Sequence, residues 1–146
     1  MRVTESDIRR IEETLGVVLP SDYRQFLLSD ADEAQRIVRE LPFRAPLWVN
    51  ADEIICENQL ARETSDVMTI GESEADEIPW PDRYVVVGTN GGGDYWFVHA
   101  DGGERGLWFW QHESHSVTQN NPTFREYMEE IRRDVEDPER RRTYGG

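Results

Sequence analysis

The first apolar positions of the chain, Ile8, Ile11 and Leu15, recur at the spacing of one face of a helix. Thr4 stands at its N-cap with Asp7 three residues on, the spacing of a capping box, and Gly16 falls where a C-terminal glycine ends a helix. The link Val17-Val18-Leu19-Pro20 leads into a second helix that buries Tyr23, Phe26 and Leu27. Proline is tolerated at a first helical position because its missing N–H has no partner there. Ala31, Ala34, Ile37, Val38 and Leu41 keep helical spacing and predict a third short helix, ended by Pro42 and Pro46. Leu47-Trp48-Val49 reads as a strand or an extended link. Asn50 caps a further helix with Ile54, Ile55 and Leu60 as buried positions, and Cys56 falls in the same apolar pattern as a core residue.

The period then changes. Glu63 to Asp82 is polar, acidic and broken by Pro79 and Pro81; it reads mostly as loop, with Val67-Met68-Thr69-Ile70 as one short strand. Tyr84–Val87 has the pattern of a buried strand, Gly88–Gly93 is a turn, and Asp94–His99 is the return strand. Ala100–Gly103 signals a second turn and Gly106–Gln111 a third, very aromatic strand, so the region predicts an antiparallel meander. Asn121-Pro122 opens a last helix with Phe124, Met128, Ile131 and Val135 on its core face, ended by Asp137-Pro138. The expected fold is α+β: a single domain over residues 1–146 with its core at about 4–135. N-terminal and C-terminal helices pack around a central, mainly antiparallel sheet, and residues 139–146 form a frayed tail.

Both faces of the aromatic strands are apolar. Tyr95, Phe97 and His99 share one face of their strand and Trp96 and Val98 the other; Leu107 and Phe109 alternate with Trp108 and Trp110. One face can pack on the helices. The other needs cover, either from the chain itself or from a partner.

Charge changes the picture most. The 146 residues carry 30 acids against 16 basic residues, all of them Arg, for a net charge of −14. Residues 41–100 hold eleven acids and three Arg, a net of −8, and Glu72, Glu74, Asp76, Glu77 and Asp82 crowd one segment around Trp80. Such acidity argues against a nucleic-acid partner, which needs a basic surface. It suits a basic protein partner, or it serves solubility alone. No apolar run approaches the ~20 residues of a membrane span, and the polar opening residues do not resemble a secretory signal. With a single cysteine there is no internal disulfide. A cytoplasmic protein is expected.

Candidate chemistry is thin. The glycine run 88–93 precedes an aromatic strand and the chain has no lysine, so a hairpin turn is the better reading than a phosphate loop. His99, His112 and His115, with Asp94, Asp101 or Glu113, form no complete metal-ligand pattern. Ser114 and His115 are adjacent in sequence, so on a strand their side chains diverge. No catalytic residue, metal or cofactor is expected.

Ile8-x-x-Ile11-Glu12-x-x-Leu15-Gly16-x-x-Leu19-Pro20-x-x-Tyr23-x-x-Phe26-Leu27 resembles the opening signature of the SUKH superfamily, the Smi/Knr-like proteins. Gly88…Gly92-Gly93-Asp94-Tyr95 resembles its central motif, and the last helix with Phe124 and Tyr127 is similar to its closing helix. The chain departs from the pattern at Ser29-Asp30-Ala31-Asp32-Glu33, where members often place an Asn-Gly or Gly-Gly turn. The resemblance implies a non-enzymatic bacterial immunity protein that binds and neutralises a cognate polymorphic toxin, a basic nuclease or deaminase domain. The alternative, suggested by fungal relatives, is a regulatory or scaffold module.

The partner-binding surface is expected at Glu72, Glu74, Asp76, Glu77, Trp80 and Asp82, with Tyr95 and Trp96 on the neighbouring strand. Pro79 and Pro81 stiffen the backbone around Trp80, and a Trp within a charged rim has the anatomy of a hot spot. The competing reading is a solvated loop with Trp80 tucked into the core.

Overall fold

The computed structural model describes residues 3–41, 44–64, 68–71, 73, 75, 77–137 and 139. The capping box forms at the start of α1 (Glu5–Leu15): the Thr4 hydroxyl accepts the Asp7 N–H at 3.2 Å, and the Asp7 carboxylate accepts the Thr4 N–H at 3.0 Å. Gly16 ends the helix at φ 68°, a left-handed conformation that glycine adopts without steric cost. Ile8, Ile11 and Leu15 are buried as their spacing requires.

α2 (Ser21–Gln25), a π-helical turn (Phe26–Asp30) and α3 (Ala31–Arg39) follow one another without an intervening loop. The two helices expected between Pro20 and Leu41 are therefore one helical course, widened at Phe26–Asp30. Tyr23, Phe26 and Leu27 are buried, and Phe26 meets the ring of Phe124 at 5.0 Å and that of Tyr127 at 6.0 Å.

Asn50 caps α4 (Ala51–Glu63) by accepting the Glu53 N–H. Its buried face is not the expected one. Ile54 is buried, Ile55 is only partly so and Leu60 is 51% exposed, while Asn58 turns inward. Cys56, expected in the core, is exposed. A polar residue takes the inward position because it meets strand backbone there, not side chains.

β1 (Thr69–Ile70) and β2 (Ile78–Pro79) pair as a short antiparallel hairpin within the segment expected to be mostly loop. Of the strand expected at residues 67–70, Val67 lies outside the described residues. The main sheet is an antiparallel meander in the order β3 (Tyr84–Thr89), β4 (Tyr95–His99), β5 (Leu107–Trp110), β6 (Val117–Asn121). β6 has no counterpart in the sequence reading: Val-Thr-Gln-Asn-Asn carries too little apolar signal. α5 (Phe124–Glu136) follows, with the Thr123 hydroxyl accepting the Glu126 N–H at its start. The fold is α+β. Of the tail expected at 139–146, only Glu139 is described.

The sheet has a core on each face. Val85, Val87, Val98 and Leu107 face α1, α2, α3 and α5 in a large aliphatic core with Phe26, Phe124 and Tyr127. Val86, Phe97 and Trp110 face the other way, into a smaller core closed by Met68, Trp80 and Ala61. The second face is thus covered by the chain itself. Helix α4 wraps between the two: Ala51 and Ile54 join the first core, Ala61 the second.

Candidate partner-binding surface

Of the acidic segment, Trp80 lies over the aromatic face. Trp80 is not an exposed anchor: it is 3% exposed, its ring packs edge-on against Tyr84, Phe97 and Trp110, and its Nε1–H donates to the Tyr84 carbonyl at 3.1 Å. The buried Trp, flanked by two prolines, pins its segment to the sheet. Glu77 and Asp82 remain on the surface. Glu77 lies 3.1 Å from His115 Nδ1, which also meets the Thr69 hydroxyl at 2.7 Å, so the imidazole ties the hairpin to the approach to β6. Asp82 is exposed, with Arg62 at 3.9 Å. Glu72, Glu74 and Asp76 lie outside the described residues.

Tyr95 and Trp96 do not act on one surface. Tyr95 stands over Trp110, on the aromatic face beneath the acidic segment. Trp96 faces the opposite side. There it packs against Phe109, opposite it on β5, at 4.9 Å, and its Nε1–H donates to Asn120 Oδ1 at 3.3 Å.

Trp96, Phe109 and Asn120 form the floor of an open cleft of about 600 Å³, walled by Arg44, Leu47, Asn90 and Tyr127. A polar chain runs along one wall. Asn120 donates to Asn121 at 2.6 Å, Asn121 to Glu130 at 2.9 Å, and Arg44 pairs with Glu130 at 3.0 Å and Asp134 at 2.7 Å. Burial alone depresses the Arg44 guanidinium, but the two carboxylates outweigh it and raise its pKa. Burial raises the Glu130 carboxyl, and hydrogen bonds from Asn121 and Arg44 overcome that and hold it below its ordinary value. Burial pushes the Tyr127 phenol up to about 12, so it stays protonated at neutral pH. The result is a wall in which one guanidinium holds two carboxylates, leaving one negative charge in excess.

The histidines are dispersed. His112 Nδ1 meets Asp94 at 2.7 Å, His115 meets Glu77, and His99 is buried among Tyr84, Phe97 and Trp108. Among the described residues no three His, Cys, Asp or Glu side chains gather as a metal site. No described helix is long and apolar enough to cross a membrane.

A family model described as SMI1 / KNR4 family (SUKH-1) matches residues 2–130. This chain belongs to that family. A comparison with curated proteins finds no match. In this SUKH-1 chain the signature residues Ile8, Ile11, Leu15, Leu19, Tyr23, Phe26 and Leu27 are all buried, so the motif specifies a core and not a site.

Several residues that shape the SUKH-1 surface escaped the sequence reading. Arg44 carries no motif; its partners Glu130 and Asp134 lie far along the chain, and only an Arg close behind helix-ending prolines hinted at a role. Asn121 reads in the sequence as the lead-in to α5, and Asn120 carries no signal of its own. Asn58 had one signal, a polar residue four positions after Ile54 on the same helical face.

Proposed function

We propose that this SUKH-1 protein is a bacterial immunity protein, acting by binding and not by catalysis, that neutralises a cognate toxin domain of basic surface such as a nuclease or nucleic-acid deaminase. One observation carries the reading: a net charge of −14, of which −8 falls between residues 41 and 100. In that stretch the exposed Glu77 and Asp82 stand on a segment anchored by Trp80. A rigid, acidic platform speeds encounter with a basic protein and disfavours wrong partners. In this reading Trp80 holds the platform in place, and Glu72, Glu74, Asp76, Glu77 and Asp82 set the field around it.

The test is co-expression with the product of the gene adjacent to this chain's own, as the candidate toxin. Cells should survive the toxin only when the protein is present, and the purified pair should form a complex. Replacing Glu72, Glu74, Asp76 and Glu77 by Gln or Asn should slow association at low salt and flatten its salt dependence, with little change in melting temperature. Survival that does not depend on the protein overturns the reading in favour of a regulatory or scaffold module. Wild-type association by the neutralised variant moves the surface to the Trp96 cleft.

A further inference from the structure

The main sheet has two outer edges, and the chain treats them differently. At β3 the edge is closed. Asn58, 2% exposed, accepts the Val86 N–H at 2.6 Å and donates to the Val86 carbonyl at 2.8 Å, so its amide stands in for a neighbouring peptide group. The Trp48 N–H donates to the Val87 carbonyl at 2.8 Å, and Leu47 bridges to Gly88. Glycine eases that approach, since a Cβ on residue 88 would stand 3.0 Å from Leu47 Cδ2, closer than ordinary contact. The register shift between Val86 and Gly88 adds a bulge.

At β6 the edge is open among the described residues, beyond His115, whose carbonyl accepts the Gly71 N–H at 3.0 Å. Antiparallel ladder bonds alternate, and the Gln111 N–H donates to the Ser116 carbonyl just before β6. The backbone groups of Val117 and Gln119 therefore point away from β5. Among the described residues they have no hydrogen-bond partner. Thr118, Gln119 and Asn120 are exposed. Natural edge strands are usually guarded by charge, proline or a bulge. Here residues Ser114–Phe124 contain no Asp, Glu or Arg, the longest such run in a chain that is 32% charged. Pro122 lies past the strand, and the register shift in this pair sits at its far end, between Leu107 and Trp108.

We propose that β6 receives an extended segment of the partner as a fifth strand of the sheet. The proposal rests on the reading of the protein as a binder of a basic toxin domain and names how that domain is gripped. Main-chain bonds to an open edge supply affinity, and alternate side chains supply selectivity. The occupant is a basic protein and not a second copy, because two chains of charge −14 repel as they close, whereas the acidic surroundings attract a cationic segment. The uncharged edge lets that segment approach without stripping water from a carboxylate. One face of the added strand lies beside Thr118 and Asn120, on the side of the Trp96 cleft; the other lies beside Val117 and Gln119.

The probe is an inactivated toxin domain that passes the co-expression test. Gln119→Pro removes the outward N–H, while Gln119→Ala removes the same side chain and keeps that N–H. Gln119→Pro should weaken binding by about tenfold or more relative to Gln119→Ala, the cost of losing a strand-pairing bond with the side chain removed in both. In the wild-type complex the Val117 and Gln119 amides should become protected from hydrogen exchange; this readout stands even if the proline variant folds poorly. If the two variants bind equally and these amides exchange as in the free protein, the β6 proposal is overturned while toxin binding stands. A concentration-dependent dimer broken by Gln119→Pro overturns the heterologous occupant in favour of a second copy. Failure of the toxin domain to bind wild-type protein at all overturns the functional reading, and the β6 proposal with it.

Discussion

The two faces of the sheet are closed by different kinds of chain. The helical face is a broad aliphatic core under α1, α2, α3 and α5, each presenting a regular stripe. The opposite face is a small aromatic core, closed by single residues of an irregular, acidic segment: Met68, Trp80 and the end of α4 at Ala61. Repeated apolar positions cover area with redundancy. A segment with little regular structure covers area only where one large side chain is pinned, as Trp80 is by Pro79, Pro81 and the Tyr84 carbonyl. The difference separates stability from surface chemistry: the helical face holds the fold, and the aromatic face anchors Trp80.

The largest expected effect breaks the helical face. Phe26→Ala removes a ring in contact with Tyr23, Phe124 and Tyr127, and should cost about 3–5 kcal/mol in denaturant unfolding, lost globally. A variant as stable as wild type would show that this core is not what holds the fold.

Trp80→Ala should cost about 3 kcal/mol, nearer the low end for a large aromatic truncation because the core it closes is small. Its signature differs. Protease should cut between residues 64 and 82 while amides in α1 and α5 stay protected from exchange. Uniform loss of protection would mean that the two cores unfold as one.

Asn58 sits where α4 passes from one core to the other. Asn58→Leu leaves the Val86 N–H and carbonyl buried without partners, at a cost of about 2 kcal/mol by thermal or chemical melting. Asn58→Asp should not rescue, since it offers an acceptor but no donor. Stability unchanged in both would remove Asn58 as the seam.

The smallest effect is a pH dependence confined to the aromatic face. Burial, with Arg83 adding and Glu104 opposing, holds His99 below its ordinary pKa of 6.5. Between the lowered folded value and 6.5 the unfolded chain binds more protons, so stability rises with pH in that window and is lost as pH falls from 6.5 through it. His99→Phe should flatten this slope in melting temperature against pH. The carboxylates of Asp7, Glu33, Asp94 and Glu130, held below their ordinary values, act at lower pH and should be unaffected.

Much of the helical face was legible in the linear chain. Thr4, Asp7 and Gly16 act within a few residues of themselves, and the stripes of α1, α3 and α5 are local periodicities, so local chemistry determined those elements and most of their buried faces. The first three strands of the meander were legible too, because the turns between them are marked by glycine and the strands by valine and aromatic residues. What the sequence could not determine depends on partners distant along the chain. Trp80 beside two prolines reads equally as an exposed anchor or as a plug, and only the neighbouring rings of Phe97 and Trp110 decide. Tyr95 and Trp96 are consecutive, yet the pleat sends them to opposite faces. Leu60 has the composition of a core residue and Asn58 that of a surface one; α4 reverses both because the position facing inward meets the open backbone of β3, which an amide satisfies and a leucine cannot. β6 is a strand of polar residues whose existence rests on its pairing with β5, and pairing is a property of two segments at once.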